Sequence, residues 1–530
     1  MSQRYFLLSI KTTFLAYVLL LTACAKNLDI DPAKIQKIDI TSSPSLNYVA
    51  TADYFNRLIS GTTPRIAELT LFTNLLPKGG DLHHHYSGAI YAETYLDWID
   101  KSGYCICRVN TCKSQNKADS KLVLKFGIVT HPGVSGDCIS AQAAIEDNTF
   151  YRELLERWSD KDYGNHYHEQ LSPDQQFFDT FSFFGPVSNY SYHDGLVLLK
   201  NRAIAENVEY LETMLKSAPA VDKPDLAMQL NALKPDSTDL QIEAALNAYF
   251  EFMSSDPLSK AEIQKYVSTL EEAAIGIDDA NFKLRFQAYV SRNSDPAKVF
   301  SGLYSSFSAV KKSKLVVGVN IVGPENGFTA MRDYSLHMKM LHFLKRHFPE
   351  VKLALHAGEL VLGMVPPEGL KHHINEAVEI AGAARLGHAV DIANETNAYD
   401  LLTRMKTSNI AVEINLTSNA FILGVKDEAH PVQLYRKHSV PFVISNDDAG
   451  VSRNNLSNEY LLFTSRYRPS YSELKTVVYN SIKYAFLNDD EKRSEVRELD
   501  RRFADFEDKI ANNEPKNTSP SPYRLTPTYR

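Results

Sequence analysis

Eight short runs rich in apolar residues recur along the chain, and longer amphipathic stretches separate them. Most runs are almost continuously apolar, which is typical of parallel strands buried on both faces. The runs cover Gly79–His85, Val208–Met214, Lys283–Ser291, Leu315–Val322, Val351–Ala357, Ala383–Val390, Asn409–Leu416 and Val440–Asp447. The intervening stretches Asp333–Phe348 and His430–Ser439 have the spacing of helices. Eight strand–helix repeats predict an α/β protein built as a closed (β/α)8 barrel.

A doubly wound open sheet is the competing arrangement for the same pattern. In its dinucleotide-binding form, that fold carries a Gly-rich G-x-G-x-x-G turn after the first strand. No such turn follows Gly79–His85. The TIM barrel is therefore the preferred prediction.

The first residues have the pattern of an export signal. Arg4 and Lys11 precede the apolar run Phe14–Leu21, which is too short to span a bilayer, and small residues follow it. The tetrad Leu21–Cys24 resembles the lipobox of bacterial lipoproteins, which implies cleavage before Cys24 and a lipid on its sulfur. The alternative is an ordinary signal peptide that contains a cysteine. We predict an exported lipoprotein, anchored to a membrane and facing the periplasm or the cell surface.

A long insertion follows the first predicted strand. More than a hundred residues separate it from the second strand, far more than one βα unit needs. This segment contains Cys105, Cys107, Cys112 and Cys138. We predict an inserted subdomain at about 95–165 held by disulfides, because an exported protein meets an oxidising compartment. The sequence does not choose among the three pairings. A zinc knuckle is the less favoured alternative, because C-x-C-x4-C lacks the usual two-pair spacing.

The remaining boundaries and the composition complete this outline. We predict a signal peptide at 1–23, an N-terminal helical extension at 24–74, the barrel at 75–511 and a disordered tail rich in Pro, Ser and Thr at 512–530. The hydrophobic fraction is 44% and the charged fraction 23%, as in ordinary globular proteins. The net charge of -7 argues against a nucleic-acid-binding surface, which needs a basic face.

Candidate chemistry lies at the ends of the predicted strands. His83 and His85 are two residues apart on the first strand, so both side chains lie on one face and His84 on the other. This pair alone is a weak signal, and taken by itself it is better interpreted as a polar strand end. Four further residues come from other strand ends: His356, His388, Asp447 and Asp448, with Glu359 three residues after His356. Catalytic groups collect at the C-terminal strand ends of such barrels, so we predict one shared site.

Four motifs then resemble a known family. LPKGGDLHHHYSGA, LHAGE, RLGHA and SNDDAG occur in the order and spacing of the adenosine deaminase family, from about Leu75 to Arg453. The insertion, the N-terminal extension and the secretion signal resemble the secreted branch, the adenosine deaminase-related growth factors, in a bacterial lipoprotein version. The extension also resembles the dimerising segment of that branch, which leaves a homodimer open.

The resemblance implies a role for each site residue. One Zn²⁺ ion per chain would be bound by His83, His85, His356 and Asp447. Glu359 would lie against purine N1, and His388 would orient and polarise the attacking water. Asp448 would contact N7, and Gly323 would offer its backbone near N3. The implied reaction is hydrolytic deamination of adenosine, and of 2′-deoxyadenosine, to inosine and ammonia, with hydroxide from the metal attacking purine C6.

The chemistry of these residue types supports that assignment. Zinc lowers the pKa of a bound water to about 7, and neutral imidazole and carboxylate are its ordinary ligands. A protonated Glu359 could deliver the proton that makes the ring carbon electrophilic. The other zinc deaminase design needs a P-C-x-x-C motif, which this chain lacks.

Some positions depart from the family pattern. Ser87 occupies the place of an Asp that contacts the ribose, which puts sugar recognition in question. Ala389 stands where Gly is usual, and Asn415 where Cys is common. The alternatives are a related amidohydrolase acting on another purine or a cyclic amide, and a catalytically inactive nucleoside-binding lipoprotein.

Three further motifs receive structural interpretations. The aromatic stretch Phe177–Gly185 is interpreted as core packing, with an aromatic wall beside a purine as the alternative. Lys371–Ile374 is interpreted as a solvated helix start, and the His430–Pro431 pair as structural.

Overall fold

Eight parallel strands form the centre of the protein, and each lies within one of the eight predicted runs. The computed structural model describes residues 45–108, 112–113, 123–124, 127–132, 138–161, 163–165, 171–234 and 237–512. The barrel strands are β1 (Gly79–His85), β2 (Val208–Met214), β3 (Lys283–Ser291), β4 (Val316–Val322), β5 (Ala354–Ala357), β6 (Arg385–His388), β7 (Ala411–Ile414) and β8 (Phe442–Ile444).

The strands follow chain order around the barrel. β1 to β4 form one parallel four-stranded sheet and β5 to β8 form another. Parallel bridges at Val319–Leu353 and His84–Asp447 join the two sheets at both edges. At the second edge, the Asp447 N–H donates to the His83 carbonyl at 2.9 Å. The predicted barrel is therefore confirmed, and its closure brings the end of β1 beside the residues that follow β8.

Helices cover the outside of the barrel, as the repeat pattern predicts. Several begin at strong N-caps; Asn488, for example, forms a capping box with Glu491. The α-helices cover Leu46–Ile59, Ile66–Leu75, Tyr86–Ala89, Ala92–Lys101, Ala141–Glu146, Asn148–Arg157, Pro173–Phe184, Tyr192–Ala205, Pro224–Asn231, Asp239–Ser255, Pro257–Ala273, Pro296–Lys312, Phe328–His347, His373–Glu376, Ala398–Thr407, Leu416–Ile422, Val432–His438, Leu456–Tyr467, Tyr471–Lys483 and Asp489–Ala511. Shorter helical turns cover Tyr163–Asn165, Gly185–Val187, Pro367–Leu370, Ala377–Ala381, Val390–Asn394 and Asp427–Ala429.

The insertion between β1 and β2 contains small antiparallel sheets. Cys105–Cys107 pairs with Val129–Thr130 on one side and with Cys138–Ile139 on the other, and Cys112–Lys113 pairs with Val123–Leu124. A disulfide joins Cys105 to Cys138, so the predicted stapling of this segment is confirmed. Cys107 is also disulfide-bonded. The exact limits of the insertion remain a prediction.

The described residues from Asn47 to Asn512 form one compact unit. Within it, the first two helices pack on the C-terminal helices: Phe55 contacts Tyr471, and Phe72 contacts Phe506. The predicted signal peptide, Cys24 and residues 513–530 of the predicted tail lie outside the described residues. Among the described helices, none combines the length and the apolar character needed to cross a membrane.

Candidate active site

The four predicted metal ligands meet at the C-terminal end of the barrel. One ligand atom from each of His83, His85, His356 and Asp447 lies within 4.8 Å of all the others. The Nε2 atoms of His85 and His356 are 3.2 Å apart. Asp447 Oδ1 lies 3.3 Å from His83 Nε2 and 3.4 Å from His85 Nε2. The residues come from β1, β5 and the segment after β8, so barrel closure is what assembles them.

Hydrogen bonds orient two of these imidazoles toward a common point. The Nδ1 of His83 lies 2.7 Å from the Glu413 carboxylate, and that of His356 lies 2.9 Å from Asn320 Oδ1. Both rings therefore keep a proton on Nδ1 and direct Nε2 toward the common point, where a bound metal would take the Nε2 lone pair. His83 Nε2 is buried without a protein hydrogen bond in the described structure. Three imidazoles and one carboxylate fit a divalent metal ion of the transition series.

A buried ionic network lies beneath this cluster. Arg385 binds Glu413 at 2.6 Å and Glu212 at 2.5 Å, and all three side chains are fully buried. Arg385 holds the Glu413 carboxylate in place while that carboxylate holds the His83 ring. The pKa of Glu413 is lowered: burial opposes this, but Arg385 and His83 outweigh it. Glu413 therefore remains an anionic acceptor, which favours the ligand tautomer of His83.

The Asn320 contact provides a test of this orientation. We expect Asn320→Ala to weaken metal affinity by roughly 10-fold to 100-fold, because the His356 ring loses the acceptor that directs Nε2 toward the site. Metal retention during competition with a chelator measures the effect. The matched control is Asn480→Ala. Asn480 lies in helix Tyr471–Lys483, and its side-chain amide donates to the Phe442 carbonyl at the start of β8, the end away from the site. Equal retention by both variants would contradict the orientation argument.

Glu359 is held by a second buried network. The backbone N–H groups of Gly358 and Glu359 both donate to the Glu325 carboxylate at 2.9 Å. Glu325 is also paired with His373 Nδ1 at 2.5 Å and lies 3.4 Å from Arg292. Burial, helped by the charges of Asp447 and Glu325, raises the pKa of Glu359 well above its ordinary range. These surroundings therefore favour the protonated form of the Glu359 carboxyl.

His373 contradicts one expectation from the sequence. Its ring is buried and stacks on Tyr334 with the centroids 3.6 Å apart, so Lys371–Ile374 is not a solvated helix start. The interpretation was wrong because the partners of His373 lie far away in the sequence. Its structural role is to support Glu325, and through it the loop that carries Glu359.

His388 lies next to the ligand cluster on β6. Its Nε2 is 4.0 Å from Asp447 Oδ2, and its Nδ1 is 3.5 Å from Glu359 Oε1. Burial lowers the pKa of His388 to about 3, so the ring is neutral. His388 and Ala389 both have positive φ angles, 65° and 48°. This left-handed turn explains why glycine is the easier residue at position 389.

A cavity of about 370 Å³ opens onto the cluster. This volume falls in the range of small-molecule sites. Its lining contains all the predicted site residues that the structure describes except His83. Cys24, the predicted lipid attachment site, lies outside the described residues. The additional lining residues are Phe177, Phe178, Phe181, Tyr289, Val322 and Pro324. Helix Pro173–Phe184 thus forms an aromatic wall beside the site, the alternative that the sequence left open. Tyr289 was missed, because a tyrosine inside a strand carries no sequence signal for function.

Asp448 reaches the cavity from the segment after β8. Its carboxylate lies over Gly88, where a Cβ would come within 1.5 Å of Oδ1, so only glycine fits that position. Burial and the neighbouring Asp447 raise the pKa of Asp448 well above its usual range. In the described structure, Asp448 Oδ1 and Glu359 Oε1 are buried without protein hydrogen bonds. Both atoms border the cavity, so a ligand there could satisfy them.

Part of the chain matches the model of a known protein family. Residues 252–502 match the adenosine deaminase family model. The matched range holds His356, Glu359, His388, Asp447 and Asp448. His83 and His85 on β1 lie outside this range, but the fold places them beside His356 and Asp447.

Curated adenosine deaminases are similar over shorter segments. The protein from Clostridium perfringens is 30% identical over 150 residues, which is 28% of this chain and 44% of the relative. The protein from Escherichia coli O157:H7 is 28% identical over 180 residues, 34% of this chain and 49% of the relative. The chain thus spans about half the length of the curated relatives it matches.

Solved structures of two related enzymes are also similar. A Burkholderia ambifaria amidohydrolase with bound Zn has a TM-score of 0.49 and 17% identity, covering 86% of this chain and 99% of the other. An Arabidopsis N6-mAMP deaminase has a TM-score of 0.48 and 17% identity, covering 81% of this chain and 99% of the other.

Proposed function

We propose that the protein is a zinc-dependent deaminase of purine nucleosides that converts adenosine, and 2′-deoxyadenosine, to the 6-oxo product and ammonia. The observation that carries the proposal is that the His83, His85, His356 and Asp447 donors meet a buried Glu359, whose pKa is raised by burial, at one cavity. The family match over residues 252–502 supports it. When bound, zinc would supply hydroxide at neutral pH by lowering the pKa of water to about 7.

The residues around the cavity supply the remaining chemistry. Purine C6 becomes electrophilic when the adjacent N1 gains a proton, and protonated Glu359 holds that proton in the pocket. Neutral His388 lies beside Asp447 and stabilises the charge that develops on the attacking oxygen. A protonated Asp448 can donate to N7, which is only an acceptor. As the amine leaves with a proton, the C6 oxygen becomes the product carbonyl.

The walls of the cavity position the purine ring. Phe177, Phe178, Phe181 and Tyr289 present apolar and aromatic surface that suits a flat heterocycle and excludes water. Gly323 has a φ of 100° and lies at the cavity edge, where its backbone can approach a ligand closely. Ser87 also lines the cavity, and we assign it to recognition of the sugar.

The charge of the lining favours a nucleoside over a nucleotide. Among the described residues, no lysine or arginine borders this cavity. A buried phosphate without a cationic partner is strongly unfavourable. We expect kcat/KM for adenosine to exceed that for AMP by about 100-fold or more. This ratio corresponds to a cost of a few kcal/mol for removing the phosphate of AMP from water. Parallel absorbance assays on purified protein measure the ratio, and a preference for AMP would contradict the proposal.

A further inference from the structure

The four imidazoles of the site are not all oriented in the same way. His83 and His356 direct Nδ1 to acceptors and turn an Nε2 lone pair toward the metal position. His388 differs, because its Nδ1 lies closer to side-chain amide nitrogens than to the Glu359 carboxyl, whose Oε1 is 3.5 Å away. Asn419 Nδ2 lies 2.9 Å from it and Asn415 Nδ2 lies 3.4 Å from it. These contacts are satisfied when the amides donate and His388 Nδ1 accepts.

The orientation of Asn419 can be traced to a backbone group. The Val432 N–H donates to His430 Nδ1 at 3.2 Å, and a backbone N–H can only donate. His430 Nδ1 is therefore the acceptor, and the proton of this buried ring is on Nε2. That Nε2 lies 3.1 Å from Asn419 Oδ1, which accepts from it. The amide nitrogen of Asn419 is then the group turned toward His388.

The orientation of Asn419 determines which ring nitrogen of His388 carries the proton. With Nδ1 accepting from Asn419, the neutral His388 ring carries its proton on Nε2, the atom 4.0 Å from Asp447 Oδ2. A protonated Nε2 has no lone pair for a metal. We propose that Asn419 and His430 hold His388 in the Nε2–H tautomer, so that the fourth imidazole donates a hydrogen bond at the site instead of ligating the metal.

Asn419 and His430 are thus positioning residues. Asn419 is fully buried in helix Leu416–Ile422. Its backbone carbonyl accepts from the N–H groups of Leu423 and Val425, which fixes the backbone that carries the side chain. His430 is also buried, and its burial lowers its pKa to about 3, which keeps it neutral. The catalytic benefit of this relay rests on the proposed deaminase function, whereas the tautomer itself does not.

The direct test is the tautomer of His388 in the full chain. Long-range ¹H–¹⁵N NMR on histidine-labelled protein distinguishes protonated from unprotonated ring nitrogens, and His388→Gln assigns the signals by their loss. We expect unprotonated Nδ1 and protonated Nε2, with and without zinc. A proton on Nδ1 would overturn the proposal. If the wild type deaminates no purine, the proposed function fails, while the spectrum still decides the tautomer.

Asn419→Asp tests the consequence for catalysis. A carboxylate only accepts, so it draws the His388 proton to Nδ1 and removes the donor from the active face. We expect kcat to fall roughly 100-fold or more, with metal content and KM retained, as for the loss of a donor that acts in the transition state. The NMR signals of His388 should reverse at the same time. Asn480→Asp is the matched control, because the Asn480 amide contacts the Phe442 carbonyl at the start of β8. This substitution should change neither kcat nor the His388 signals.

A pair of substitutions at His430 keeps the test informative if Asn419→Asp fails to fold. His430→Leu removes the donor to Asn419 Oδ1, so the amide can rotate and the tautomer of His388 becomes mixed. His430→Gln keeps an amide N–H and should restore both the spectrum and most of kcat. Folded, metal-bound His430→Leu or Asn419→Asp protein with the wild-type spectrum and wild-type kcat would overturn the proposal.

Discussion

Glu359→Gln is expected to reduce kcat for adenosine by roughly 1,000-fold, within the range found for general acids and bases. Burial, Asp447 and Glu325 all raise the pKa of the Glu359 carboxyl and so favour its protonated form. Glutamine preserves the shape of the side chain but has no acidic proton to give to purine N1. Metal content should remain unchanged, because Glu359 is not among the four proposed ligands.

The pH profile distinguishes this acid role from a purely structural one. Because the protonated form of Glu359 is active, kcat should fall as the pH rises through its raised pKa. The small residual activity of Glu359→Gln should lack this alkaline limb. Glu368→Gln, an exposed residue of the same loop region, is the matched control and should behave like the wild type. A Glu359→Gln protein with normal kcat would remove the proposed mechanism.

Removal of the metal should abolish deamination and lower the thermal stability of the protein. His83, His356 and Asp447 are buried and His85 is partly buried. A bound cation would stabilise these closely spaced polar side chains. A ligand present at 1,000 times its Kd stabilises the folded state by about 4 kcal/mol, so Tm should drop after dialysis against a chelator. Added Zn²⁺ should restore activity and Tm, whereas Mg²⁺ should not, because it disfavours imidazole ligands.

Metal uptake should also depend on pH in a defined direction. Burial lowers the pKa of His83, but Asp447 and Glu413 outweigh it and raise this pKa to about 10 in the metal-free protein. The ion must displace a proton from His83, so affinity should increase as the pH rises from 6 toward about 9. Competition with a chelator at several pH values measures this slope. Full activity in protein shown to contain no metal would contradict the proposed site.

Local patterns account for what the sequence predicted correctly. All eight strands were predicted, because a strand buried on both faces needs a nearly continuous apolar run wherever its neighbours lie. A shared site at the strand ends followed from the same local information, and the resemblance to a known family implied which residues bind the metal. His83, His85, His356 and Asp447 are each placed by a strand end, and a closed parallel barrel gathers those ends at one mouth. The disulfide was expected, but its pairing was not, because many pairings are compatible with one spacing.

Contacts between distant segments decided the rest. His373 supports Glu325, which lies 48 residues away, and Asn419 reaches His388 across 31 residues. The aromatic helix Pro173–Phe184 forms a wall of the cavity only because the fold brings its Phe177, Phe178 and Phe181 beside the ends of the barrel strands. The sequence by itself determined the strands, the barrel and the residue types of the site, because periodicity and strand ends are local. The hydrogen-bond partners of the site histidines and the cavity wall came from the tertiary structure alone, because contacts and burial depend on partners that no local pattern specifies.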